Sequence, residues 1–210
     1  MVGHACAILT GNNAEAAFQK YTLLPANLIA SIPEIMSFDT AAVLPLSVSC
    51  AAAALYEKDA LSLPLPQADK MNANANGQGD SAEKTILIWG GSSSVGSSAI
   101  QLARSSGLRV IATASEKHFD RAKDLGAAAV YDYRSPHVVA DLVKVLQGST
   151  CLGAFDTTGA NVQDCAEILS QLGGGHVVAT ADPPKTLPEG VTANHGEQYL
   201  TEAALLQHWC

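Results

Sequence analysis

The sequence predicts an α/β chain built on a doubly wound parallel sheet, and three observations carry the prediction. From Thr85 onward, short runs of β-branched residues alternate with amphipathic stretches of helical period. Three of those stretches close on glycine, at Gly107, at Gly126 and at the triplet Gly173 to Gly175, where helices commonly stop. The first β-branched run leads directly into IWGGSSSVGS, residues 88–97, a strand-turn-helix pattern with glycines at 90, 91 and 96.

The elements follow in order. TILIW (85–89) is a buried strand, and the helix after the glycine turn sets Val95, Ala99, Leu102 and Ala103 on one face. LRVIAT (108–113) is the second strand, followed by a helix with Phe119, Ala122 and Leu125 on its apolar side. AVYDY (129–133) is the third, and Val138, Val139, Leu142 and Leu146 line the next helix. LGAFDTTG (152–159) is the fourth strand with its exit turn; Val162, Cys165, Ala166, Leu169 and Leu172 form the last helical face; HVVAT (176–180) is the fifth strand. Because crossovers between parallel strands are right-handed, this series places helices on both faces of one sheet. Upstream, AAVLPLSVSCAAAALYE (41–57) reads as helix, with Pro45 tolerated in a first turn. EAAFQKYTLLPANLIASIP, from residue 15, reads as a strand and an extended arm. The segment 61–84, rich in Pro, Asn, Gly and Asp and without periodicity, predicts a flexible inserted loop.

Composition narrows the function. At 48% hydrophobic and 15% charged, with a formal net charge of -8, the chain lacks the clustered Lys and Arg that a nucleic-acid or anionic-membrane surface needs. The five cysteines form no CxxC pair, and the six histidines do not fall beside them at metal-ligand spacing, which argues against a structural zinc site. The opening MVGHACAILT has no basic region before an apolar stretch, and no apolar run approaches the roughly 20 residues that cross a bilayer. The expectation is a soluble, cytoplasmic protein without nucleic-acid or membrane partners.

Three chemistries use a strand-turn-helix of this kind. A P-loop needs GxxxxGK, and Gly91 to Gly96 has the spacing, but Ser97 stands where the lysine belongs. A nucleophile elbow needs GxSxG, and both frames fail, with Ser94 or Val95 at the last glycine. A dinucleotide loop uses glycines for the turn and for close backbone approach, with the helix N-terminus facing a pyrophosphate. Gly90, Gly91 and Gly96 suit those tasks, and Ser92, Ser93 and Ser94 add hydroxyls. A tight turn with no ligand is the plainer alternative. After the second strand the chain reads Ala114, Ser115, Glu116, Lys117. With a hydroxyl and an ammonium there and Glu116 turned to solvent, the tip suits a 2′-phosphate and favours NADPH over NADH.

Taken together, VGHA near the start, AFQKYTLLPANLIASIP, FDTAAVLPLSVSCAAAAL, ILIWGGSSSVGSSAIQLARSSGLRVIATAS, LGAAAVYDYRSP and FDTTG resemble the medium-chain dehydrogenase/reductase superfamily over roughly residues 1–190. The likeness is strongest to its quinone-oxidoreductase-like and trans-acting enoyl reductase branch, often labelled zinc-binding alcohol-dehydrogenase-like and common in fungi. The resemblance implies a Rossmann domain over 37–190, a remnant of a GroES-like barrel over 1–36 and a divergent tail over 191–210 that lacks the family's final strand. It implies an NADPH-dependent hydride transfer to a small-molecule enoyl or quinone-type acceptor. Gly90, Gly91, Ser92, Ser93, Ser94, Val95 and Gly96 fall on the pyrophosphate loop, with Ser93 where relatives often carry a middle glycine. Ser115 and Lys117 fall on the 2′-phosphate positions, Tyr133 beside the adenosine phosphate and Ser49 near the nicotinamide. No metal ligand and no general acid are assigned, and pairing of two copies through the sheet edge is implied. The chain reads as truncated, and the alternative is an NADPH-binding domain without catalysis.

Overall fold

The computed structural model describes residues 2–3, 14, 16, 18–24, 26, 29–66 and 84–196. Val2–Gly3 (β1) and Ile29–Ala30 (β2) pair antiparallel, apart from the main sheet. Strands buried on both faces read as continuous apolar runs, and in Lys84–Trp89 (β3) every residue after Lys84 is buried. Arg109–Ala114 (β4), Ala129–Asp132 (β5), Thr150–Asp156 (β6), Gly175–Ala179 (β7) and Val191–His195 (β8) complete a six-stranded, wholly parallel sheet. Its order is β5-β4-β3-β6-β7-β8. The chain winds from β3 to one edge, returns to the centre and winds from β6 to the other, which is the doubly wound topology of the Rossmann fold.

Alternation along each strand divides the core in two. Ile86, Ile88, Val110, Ala112, Phe155 and Val178 face one way, against Leu44–Tyr56 (α2, preceded by α1, Phe38–Ala42) and Ser94–Ser105 (α3). Leu87, Trp89, Ile111, Ala154, Val177 and Ala179 face the other, where Val138–Leu146 (α5) and Val162–Gln171 (α6) supply Leu142, Leu146, Cys165 and Leu169. Phe119–Asp124 (α4) follows a single 3₁₀ turn after β4. The alanines of α2 let it lie close to α3, and the half-buried Tyr56 hydroxyl donates to the Leu102 carbonyl at 3.0 Å to fix the pair. Burial raises the pKa of that phenol.

Three expectations change. Pro45 does sit in the first turn of α2, but Phe38–Tyr56 forms a 19-residue helical span of mean hydropathy 1.6, long and apolar enough by length and composition to cross a membrane. Ala51 to Leu55 of that span are buried inside the fold, whereas Leu44, Leu46 and Val48 nearer its start are exposed. The loop expected over 61–84 begins later: Leu61 and Leu63 pack in the core, held by Leu61 N–H to Ala54 O (3.2 Å) and Leu63 N–H to Leu55 O (2.8 Å). Lys84 already belongs to β3, and residues 67–83 lie outside the described residues. The tail expected from 191 opens with a sixth strand, Val191 to His195 pairing residue by residue with Gly175 to Ala179. Residues 197–210 of the tail lie outside the described residues.

Phe155 is fully buried at the centre of the first half-core. Phe155→Ala should cost about 3–5 kcal/mol in urea unfolding, whereas Leu65→Ser, at a residue 62% exposed, should change stability by about 0.5 kcal/mol or less. Equal effects of the two would contradict this division of the core.

Candidate functional site

The site lies at the carboxyl ends of β3 and β6, where the strand order reverses and ligands of such sheets bind. At the tip of β3 the chain turns through Gly90, whose φ is +83°. A Cβ there would lie 2.6 Å from Thr158 Cγ2 and 2.7 Å from Thr157 Oγ1. A Cβ on Gly91 would meet Ile100 Cδ1 at 2.9 Å, and one on Gly96 would strike the Gly90 carbonyl oxygen. The three glycines therefore allow the first turn of α3 to close onto the end of β3.

The loop amides divide into anchors and free donors. Gly90 N–H donates to Thr113 Oγ1 (3.0 Å) and Gly91 N–H to Thr113 O (2.8 Å), fastening the turn to β4. Ser93 N–H donates to Gly90 O (3.0 Å), and Gly96 N–H to Ser93 Oγ (2.9 Å), which is the N-cap of α3. The N–H groups of Ser92, Ser94 and Val95 have no acceptor among the described residues. They sit at the start of a 12-residue helix, with the positive end of its dipole behind them. Backbone and dipole so arranged can take an anion, independent of the negative net charge.

Gly90, Gly91, Ser92, Ser93, Ser94, Val95 and Gly96 form the turn and the first turn of α3. Ser92 is half-buried, and Ser94 is exposed. Ser93, expected as a further hydroxyl donor, is bound inward as the cap and hydrogen-bonded to Thr157 (2.9 Å). Ser115 follows β4 and Tyr133 follows β5; Ala114 pairs with Asp132, so Ser115 and Tyr133 leave the sheet side by side. Lys117 and Glu116 are exposed in the 3₁₀ turn next to them. Ser49 lies half-buried on α2, one residue before Cys50, which packs against Val95. The loop, the Ser115–Lys117 turn and Tyr133 thus share one edge of the sheet, and on α2 it is Cys50, the neighbour of Ser49, that meets Val95.

Several contributing residues have no motif of their own. Asp156, fully buried, accepts hydrogen bonds from Thr158 N–H (2.9 Å), Thr158 Oγ1 (2.7 Å) and Asn161 N–H (2.7 Å), shaping the turn after β6. Arg134 forks onto Asp132 (3.0 and 2.9 Å) and lies 5.7 Å from the centre of the Tyr133 ring. The guanidinium holds the Asp132 carboxyl below the usual carboxylate range. Neither thiol with a shifted pKa suits nucleophilic chemistry, since burial pushes Cys165 well up, helped by the nearby Asp156 charge, and burial also raises Cys151. Cys151 lines a shallow groove of about 370 Å³ at the amino ends of the strands, away from the glycine turn. His176 Nδ1 is bonded to Thr192 Oγ1 (2.7 Å), and His195 Nδ1 to Asp182 (3.2 Å).

Strand order, glycine turn and helix cap define a doubly wound α/β domain of the nucleotide-binding type. Residues 94–208 match the zinc-binding dehydrogenase family model; the chain belongs to that family, within the medium-chain dehydrogenase/reductase superfamily. It is 43% identical over 197 residues to a trans-enoyl reductase of Aspergillus japonicus, covering 92% of this chain and 53% of the relative. A dehydrogenase of Aspergillus niger is 38% identical over 200 residues, covering 91% of this chain and 55% of its own length. Among solved structures, the quinone oxidoreductase of Thermus thermophilus, also solved with NADPH, superposes with a TM-score of 0.61 at 25% identity, covering 88% of this chain and 55% of that one. The chain therefore spans about half the length of the relatives it matches. Among the described residues no group of three or more His, Cys, Asp or Glu side chains could hold a metal ion. The described residues do not fit the zinc of the family's name.

Gly90→Ala forces a side chain into the left-handed region against Thr157 and Thr158, and should cost about 1–3 kcal/mol in chemical denaturation; unchanged stability would contradict the turn described. Because the Asp132 pKa is lowered in the fold, its contribution is present above the ordinary carboxylate pKa and fades as pH falls through the lowered value. Arg134→Gln should return the Asp132 carboxyl toward the ordinary value of about 4 in an NMR titration, and an unmoved titration would remove Arg134 as the cause.

Proposed function

We propose that this chain binds NADPH along the carboxyl edge of its sheet and serves hydride transfer to an enoyl or quinone-type small-molecule acceptor. The observation that carries the reading is the set of three N–H groups, on Ser92, Ser94 and Val95, left without acceptors among the described residues at the start of α3, where the strand order reverses. The NADPH complex of the Thermus quinone oxidoreductase and the enoyl reductase among the relatives support it. When bound, the reduced nicotinamide supplies the hydride.

The chain's own residues hold and orient. The three amides and the helix dipole take the pyrophosphate, with the Ser92 and Ser94 hydroxyls beside them. Ser115 and Lys117 take the 2′-phosphate, and Tyr133 packs on the adenosine side. Glu116 is the one carboxylate in that turn, and both it and Lys117 are exposed. Ser49, on α2, flanks the nicotinamide. In the same reading residues 1–36 are the end of a GroES-like domain, residues 37–190 with β8 are the dinucleotide domain, and two copies pair through the sheet edge.

Trp89, buried at the end of β3 directly before the loop, gives the test. Titration of its fluorescence, isolated by Trp209→Phe, should show saturable binding, with NADPH favoured over NADH by about tenfold or more, and Lys117→Glu should abolish that preference by setting like charges together. Enoyl or quinone acceptors should then accelerate the loss of dihydronicotinamide absorbance. Tight binding with no turnover across both acceptor classes would favour a non-catalytic NADPH-binding domain, and binding of neither dinucleotide by the folded chain would overturn the reading.

A further inference from the structure

We propose that Thr157 is a positioning residue for the anion cradle, acting through Ser93; the proposal rests on the dinucleotide reading above. Thr157 follows the last residue of β6 and is 8% exposed. Its Oγ1 lies 2.9 Å from Trp89 O, 3.0 Å from Gly90 O and 2.9 Å from Ser93 Oγ. Carbonyl oxygens only accept, so the single Thr157 hydroxyl proton is shared by Trp89 O and Gly90 O. The Ser93–Thr157 bond must then be donated by Ser93. Ser93 Oγ in turn accepts from Gly96 N–H at 2.9 Å.

The protons therefore run in one direction, from Gly96 N–H to Ser93 O–H to Thr157 O–H to the end of β3. Each donor in such a chain polarises the next. The chain fixes the Ser93 rotamer that caps α3, and with it the direction in which the Ser94 and Val95 amides point. It also joins the two halves of the sheet, since Thr157 belongs to the end of β6 and the loop to β3. Gly90 is a condition of the contact, because a Cβ there would sit 2.7 Å from Thr157 Oγ1. Thr157 touches no phosphate in this scheme. It acts on the part common to both dinucleotides, so its loss affects NADPH and NADH alike, unlike a change at Lys117.

The test is binding of NADPH and NADH to the full chain and its variants, all carrying Trp209→Phe so that Trp89 alone reports. Thr157→Val keeps the shape and removes the hydroxyl; it should weaken both dinucleotides by the same factor, about tenfold. Thr157→Ser keeps the hydroxyl and should stay within about twofold of the parent. Ser93→Ala should resemble Thr157→Val, and the double variant should be no weaker than the worse single one by more than about twofold, because the two act as one unit. Parent-like affinity in Thr157→Val, equal damage in Thr157→Ser, or losses that add in the double variant would overturn the proposal while leaving the cofactor reading intact. If Thr157→Val does not fold by circular dichroism, Thr157→Ala takes its place: weakened binding of both dinucleotides with Thr157→Ser unaffected supports the proposal, and unweakened binding overturns it. A parent chain that binds neither dinucleotide ends both.

Discussion

Trp89 and Asp156 lie side by side at the ends of β3 and β6, and from there the chain leaves the sheet on opposite faces. After β3 it enters α3 in one half-core; after β6 it enters α6 in the other. The sheet must open a crevice at that point, and the backbone groups bared there must find partners or face water. The rest of the site follows from how this one junction is satisfied.

Side chains of Thr and Ser do most of that work. Thr113 reaches across from β4 to the Gly90 amide, Thr157 reaches across from β6 to the Trp89 and Gly90 carbonyls, and Ser93 caps α3. Asp156 is wholly buried, yet its oxygens accept three hydrogen bonds from its own turn, so the cost of desolvating the carboxylate is offset locally. An unpaired buried donor or acceptor at the same place would cost about 1–3 kcal/mol. Among the described residues, the backbone N–H groups of the glycine turn left unpaired are the three at the helix start, where a bound anion or water can meet them.

Much of this was legible in the sequence, and the misses have physical causes. Branched aliphatic runs such as TILIW and HVVAT are buried on both faces, so composition alone marks them as strands. VTANH has one branched aliphatic residue and pairs on only one side among the described strands, so β8 carries no such signal. Leu61 and Leu63 hide in a Pro-rich stretch whose composition reads as loop, and their burial is decided by the shape of the half-core they fill. The glycine turn announced itself, but the division of its donors did not. Thr157 is 64 residues from Ser93 and 68 from Trp89 in sequence, and the apparent surplus of serines in SSS concealed that the middle one faces inward.

Function in this reading depends on the Ser92, Ser94 and Val95 amides being donors held ready for a phosphate, while their neighbours are anchored within the protein. Backbone amide resonances followed by NMR during NADPH addition test it most directly. Saturable downfield shifts are expected for Ser92, Ser94 and Val95 with one common affinity, and little change at Leu142 on the far face of the sheet. Resonances of the three amides that stay in place while the nucleotide saturates elsewhere would contradict it.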